Sequence, residues 1–125
     1  MTLSDEEIER LNGLSEDALL AELGRAVLKH NQPGLRARPP SIKKLIEEAK
    51  AWLAAENEKV RQAVCRNEKI RTIATTEPGA TVKLMRTVAD VVGGVVVYLP
   101  AGTVTEIIMR DGIPKYCEHI WAEEN

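Results

Sequence analysis

Apolar residues in the first half of the chain recur at spacings of three and four. Between residues 41 and 67 one stripe runs through Ile42, Leu45, Ile46, Ala49, Trp52, Leu53, Val60, Ala63 and Val64. Glu47, Glu48, Lys50, Glu58, Lys59, Arg61 and Arg66 fall on the other side, which is the pattern of an amphipathic helix. Ser41 follows Pro39-Pro40 and offers an oxygen to the free N–H groups of a helix start, and no glycine lies between Gly34 and Gly79. At 1.5 Å per residue, about 27 residues of helix reach about 40 Å, whereas a domain of this size is about 35 Å across. Such a helix either crosses its own domain or offers its apolar face to something else. A heptad with Ile46 at position a puts Ala49, Leu53, Val60, Ala63 and Ile70 on one seam, interrupted by Glu56 and Asn67, so a coiled coil is one form that contact would take.

Two shorter helices are predicted before it. Leu3-Ser4-Asp5-Glu6-Glu7-Ile8 holds a capping serine, a glutamate placed to close a capping box, and a staple pair in Leu3 and Ile8. Asn12-Gly13 ends that helix, and Leu14-Ser15 opens a second over 16–30 with Leu19, Leu20, Leu23 and Val27 on one side. Residues 31–40, with Pro33, Gly34, Pro39 and Pro40, read as a stiff connection. Residues 1–67 are therefore predicted as a helical region, a short arm followed by a helical hairpin with a long second helix.

After Asn67 the pattern changes. Ile70, Thr72, Ile73, Thr75 and Thr76 are β-branched, and Glu77-Pro78-Gly79-Ala80 places proline and glycine as a type II turn wants them. Further turn signals follow at Gly93-Gly94, Pro100-Ala101-Gly102, Asp111-Gly112 and Pro114, separating valine- and isoleucine-rich runs at 82–92, 95–99, 104–110 and 113–121. The rhythm predicts an antiparallel meander of about five strands over 68–125, with Asp111-Gly112 as its tightest hairpin. Val82, Leu84, Met85, Val88, Ala89, Val91 and Val92 also fit a helical stripe, although the strand reading is preferred. The expected fold class is α+β.

Three stretches in this half carry a resemblance. Val82-Lys83-Leu84-Met85-Arg86-Thr87-Val88, then Leu99-Pro100-Ala101-Gly102-Thr103-Val104-Thr105-Glu106-Ile107-Ile108, then Asp111-Gly112 are similar in rhythm to a small SH3-like barrel of the bacterial SH3 or KOW type. The resemblance implies a module that binds proteins or nucleic acids. Aromatic residues are few in this half, with Tyr98, Tyr116 and Trp121, so the aromatic groove of peptide-reading SH3 domains is not expected and no binding residues are carried over.

Composition narrows the class of function. The chain has 125 residues, 44% hydrophobic and 29% charged, which suits one ordinary globular domain. No run is apolar enough to span a membrane, and the acidic N-terminus has no signal-peptide core behind it. A cytoplasmic protein without membrane contact is expected, with Cys65 and Cys117 as reduced packing residues. Net charge is −2, but residues 1–24 hold seven acids against Arg10. Arg25, Lys29, Arg36, Arg38, Lys43 and Lys44 then follow with no acid among them. This basic segment is the candidate site for nucleic acid or another polyanion, unless the acidic block neutralises it.

Candidate chemistry is sparse. Cys117 and His119 share a face if they lie on a strand, and with Cys65 and His30 they supply zinc-type ligands, but no spacing joins the four. No nucleophile with an oriented base and no phosphate-cradling glycine loop is present. No cofactor, metal or catalytic residue is expected. The sequence points to a non-enzymatic interaction or adaptor protein that self-associates, as a homodimer for example, or docks on a larger protein. Trp52, Leu53 and Val60 on the long helix are its candidate anchors, provided that face is not used internally.

Overall fold

Serines open the first three helices. The hydroxyls of Ser4, Ser15 and Ser41 accept the N–H groups of Glu7, Ala18 and Lys44, each at 3.1 Å, satisfying donors that have no partner inside a helix. They start α1 (Asp5–Asn12), α2 (Glu16–Asn31) and α3 (Ile42–Cys65) of the computed structural model, which describes residues 3–31 and 39–124. Helix α3 stops short of Asn67 because that residue takes a role of its own. Its side-chain oxygen accepts the Ile70 N–H at 3.0 Å and begins α4 (Glu68–Thr76). Three more helices follow, α5 (Thr81–Val95), α6 (Ala101–Asp111) and α7 (Ile113–Glu124).

The expected β-meander and the SH3-like resemblance are both overturned. Among the described residues there is no strand, and the protein is all-α. Apart from Gly93-Gly94, which lies within the last turn of α5, each turn signal proves to be a helix boundary. The Pro78-Gly79 turn precedes α5, Pro100 is the residue before α6 and its carbonyl accepts the Thr103 N–H at 3.1 Å, and Pro114 sits in the first turn of α7, where a missing N–H costs nothing. Gly112, read as a hairpin residue, ends α6 at φ +92°, a conformation that disfavours any side chain.

The apolar runs between these signals are helical stripes. Met85, Val88, Ala89 and Val92 are buried on α5, Val104 and Ile108 on α6, and Ile113, Tyr116, Cys117 and Ile120 on α7. A valine in a helix costs a few tenths of a kcal/mol relative to alanine, while burying it stabilises by about 1.5–3 kcal/mol. Burial decides, and the side that favours it is the helical one.

Helix α3 is the common partner of this core. Ala49, Trp52, Val60 and Val64 are buried along it, in one cluster with Leu20, Leu23 and Val27 of α2 and Val88 and Val92 of α5, while Leu45 packs with Ala21 and Leu28 of α2. Residues from both the 1–67 and the 68–125 regions fill this one cluster. Where α2 meets α3, Gly24 lies so close that a Cβ there would fall on the backbone carbonyl of Leu45, a contact no other residue type permits.

The last helix is fastened to the end of α3. Cys65 and Cys117, both fully buried, form a disulfide, so the expectation of reduced cysteines is corrected. Around it Trp121 Nε1 donates to the Cys65 carbonyl at 2.8 Å, Tyr116 donates its hydroxyl to Asn57 Oδ1 at 2.9 Å, and the Arg61 guanidinium lies 4.8 Å from the Tyr116 ring centre. No helix among the described residues is long and apolar enough to cross a membrane.

Two outcomes follow for this seam. The disulfide closes a separation of 52 residues, for which chain entropy gives about 4 kcal/mol of stabilisation. Urea unfolding of the Cys65→Ala/Cys117→Ala double variant should show a loss of that order, and unfolded but unreduced protein should show no thiol to a chromogenic thiol reagent; two reactive thiols would contradict the bond. Burial pushes the Tyr116 phenol from 10.0 up to about 12. Between those values the unfolded chain releases a proton that the folded one keeps, so stability falls as pH rises through that window. Tyr116→Phe should remove this part of the alkaline slope, and an unchanged slope would contradict the assignment.

Candidate functional site

The connection between α5 and α6 is built to hold its tip outside. Val96 leaves the helix while its N–H still donates to the Val92 carbonyl at 2.9 Å, and the Leu99 N–H closes the turn on the Val96 carbonyl at 3.3 Å. Val96 and Leu99 are 2% and 7% exposed, so both ends of the turn are anchored in the core. The two residues between them have no inward direction left. Val97 is 80% exposed and Tyr98 43% exposed.

The tip is also braced from beneath. Trp52 of α3 donates its indole N–H to the Tyr98 hydroxyl at 3.3 Å, and the Tyr98 ring stacks on His30, at the end of α2, with centroids 4.0 Å apart. Beside the tip lies an open groove of about 550 Å³, lined by Ala89, Asp90, Gly93, Val96, Val97, Leu99 and Ala101. Apart from Asp90 the lining side chains are apolar, but polar atoms make up about half of the surface the groove exposes. The tip thus sets an exposed apolar side chain, Val97, beside an open groove.

Among the described residues, buried polar groups elsewhere have structural partners, except the Thr105 hydroxyl and Arg61 Nε. Glu106, 5% exposed on α6, accepts from Arg110 at 3.3 Å and, with the Asn12 amide nitrogen turned toward it, from Asn12 at 2.9 and 3.2 Å. Arg110 in turn donates to the Leu11 and Leu14 carbonyls at 3.0 and 2.7 Å, which closes the end of α1 onto α6. Glu22 takes the Arg10 guanidinium at 2.7 Å and the Thr103 hydroxyl at 2.5 Å, and the arginine's hydrogen bonds hold its carboxyl below the usual range. These groups join α1, α2 and α6 into one body.

The residues singled out in the sequence are placed as follows. Trp52 and Val60 are buried in the core and Leu53 is half-buried against it, so the condition that this face be free is not met. Arg25, Lys29, Lys43 and Lys44 are exposed, with Lys44 paired to Glu48 at 2.9 Å; Arg36 and Arg38 lie outside the described residues, as does most of the connection at 31–40. Acids of the N-terminal block turn to other cations: Asp5 pairs with Arg86, and Glu7 and Glu22 with Arg10. Cys117 and His119 do not share a face, because they lie on a helix; His119 is exposed and pairs with Glu123 at 3.2 Å, while Cys117 is held in the disulfide. Among the described residues no three metal-ligating side chains gather.

Val97 and Tyr98 escaped the sequence reading, which placed them inside a strand. A signal was present. Val95, Val96, Val97, Tyr98 and Leu99 are five apolar residues in succession, more than one helix face accommodates, so some had to point outward. Comparison of the chain with protein-family models, curated proteins and solved structures finds no match in any of the three.

Proposed function

We propose that this chain is a non-enzymatic interaction protein that docks on another protein surface, with the α5–α6 turn as its contact and α3 as the frame that holds that contact in place. The observation that carries this reading is Val97, 80% exposed at the tip of a turn whose neighbours are buried at 2% and 7%. Leaving such a residue in water forgoes about 1.5 kcal/mol or more that its burial would supply, and the bracing by Trp52 and His30 means that little ordering remains to be done on binding. Contacts that are fixed before binding lose less entropy when they form. The site therefore combines an unburied apolar anchor, an adjacent recess and a preset geometry, the features of an interface centre.

A photoreactive phenylalanine analogue at position 97, compared with the same analogue at exposed Lys69 on α4, tests the reading in the cells of origin. Position 97 should give one discrete adduct of a protein, this chain or another, in high yield, and position 69 should not. No adduct at 97, or the same diffuse pattern at both positions, would contradict it.

A further inference from the structure

Helix α1 is held differently from the rest of the chain. It contributes no residue to the cluster around α3. Ile8 and Leu11, its two buried side chains, pack instead with Leu19 of α2 and Met85 of α5 in a small cluster of their own, edged by Leu3, Leu14, Ile107 and Met109. Eight residues are too few for a helix that stands alone, so α1 is helical only while it is seated there.

Its polar fastenings lie mostly at the rim. Arg86 of α5 donates to the Leu3 carbonyl at 2.9 Å and pairs with Asp5, Arg10 pairs with Glu22 of α2 at 2.7 Å, and Arg110 of α6 reaches the Leu11 and Leu14 carbonyls. The Asp5 and Arg10 side chains are 84% and 46% exposed, and pairs in contact with water contribute little each and are screened by salt. Deeper in, Asn12 meets Glu106, a contact that water replaces once α1 leaves. The seam itself is incompletely filled. A recess of about 150 Å³ lies between Ile8 and Asn12 of α1, Met85 of α5 and Met109 of α6, and atoms facing such a gap forgo the contacts they would make in a filled core.

The seat is nonetheless shaped for this helix. A Cβ at Gly102 would come within 2.9 Å of Leu3 Cδ1 and 3.3 Å of Leu11 Cδ1, so the glycine keeps open the place that those two leucines take. At the far end of α1 a single residue, Gly13, stands between Asn12 and Leu14, and Leu14 already packs in the cluster of Leu19. Rotation about the Gly13 backbone, which no side chain restricts, swings α1 outward and leaves α2 in place.

A fitted seat, a grip of two apolar side chains and fastenings at the rim belong to an element that opens at less cost than global unfolding. We infer that α1 is a hinged cover, which swings out as a unit about Gly13 while α2 to α7 stay folded. It uncovers an apolar face of Leu19, Met85 and Met109 beside Gly102, a helix-binding seat whose resident occupant is α1 itself.

Native-state hydrogen exchange of the full chain, followed segment by segment, tests the cover. The α1 amides should exchange about tenfold or more faster than the slowest amides of α3. Val60→Ala, in the core around α3, should speed exchange in α3 and leave α1 as it was, whereas Ile8→Ala should speed exchange in α1 alone. Gly102→Leu should act as Ile8→Ala does, from the side of the seat, and Arg86→Gln, which removes the Leu3 and Asp5 fastenings, should do so more weakly. Oxidation of Met85 by hydrogen peroxide reads the uncovered face, since this side chain is only 2% exposed beneath α1. Its rate should rise about tenfold or more in Ile8→Ala, the scale expected for one truncated apolar contact. Amides of α1 as slow as those of α3, exchange in α1 and α3 that rises together in Val60→Ala, or Met85 oxidation indifferent to Ile8→Ala would overturn the inference.

Discussion

Burial of α3 from several sides is the constraint on which the other elements depend. A 24-residue amphipathic helix cannot cover its own apolar face, and α2, α5 and α7 close over it. Gly24 lets α2 approach until the backbones touch, and the Cys65–Cys117 disulfide fastens α7 to the far end. Between these two fixed points Ala49, Trp52, Val60 and Val64 contribute to a single core shared with α5, α6 and α7. Loss of either fixed point would expose the stripe that the sequence displays most plainly.

The same helix gives the surface its shape. Trp52 was one of three residues of α3 expected as external anchors, yet it acts one layer below. Its ring is buried at 8% exposure, and its N–H reaches the Tyr98 hydroxyl at 3.3 Å. A core residue thus positions an exposed one, and the tip gains its stiffness from the helix that the fold was built to bury. The passage from packing to the proposed contact runs through that one hydrogen bond, the His30 stack and the buried anchors Val96 and Leu99.

How much of this was legible depended on whether a signal had one structural meaning. Ser4, Ser15 and Ser41 cap helices wherever they precede an apolar stripe, and α1, α2 and α3 could be read almost to their ends. Leu3 and Leu14 pack beside Ile8 and Leu19 as their staple positions require. Asn67 with Glu68 behind it was an equally good helix start, concealed by the periodicity that continues past it. In the second half the signals had two meanings. Proline and glycine punctuate helices as well as hairpins, and valine-rich runs such as 82–92 satisfy both periods, so β-propensity decided wrongly in a protein where tertiary burial prevails. Short helices with glycine and valine inside them are poor helices alone, and they form here because α3 offers a surface to cover. The disulfide was illegible for a related reason, since only the α3–α7 packing brings residues 65 and 117 together. The candidate site was half visible: five consecutive apolar residues announced an excess, but which two would face outward was set by the burial of Val96 and Leu99.

Amide hydrogen exchange of the purified chain tests the central claim, that α3 holds the α5–α6 turn in a preset geometry. The account predicts that the Val96 and Leu99 amides, which donate to the Val92 and Val96 carbonyls, are protected in the wild type and lose protection in Trp52→Phe, which removes the hydrogen bond to Tyr98, while residues 42–65 stay protected. Val96 and Leu99 amides that exchange like those of an unfolded chain, or protection unchanged by the substitution, would contradict it.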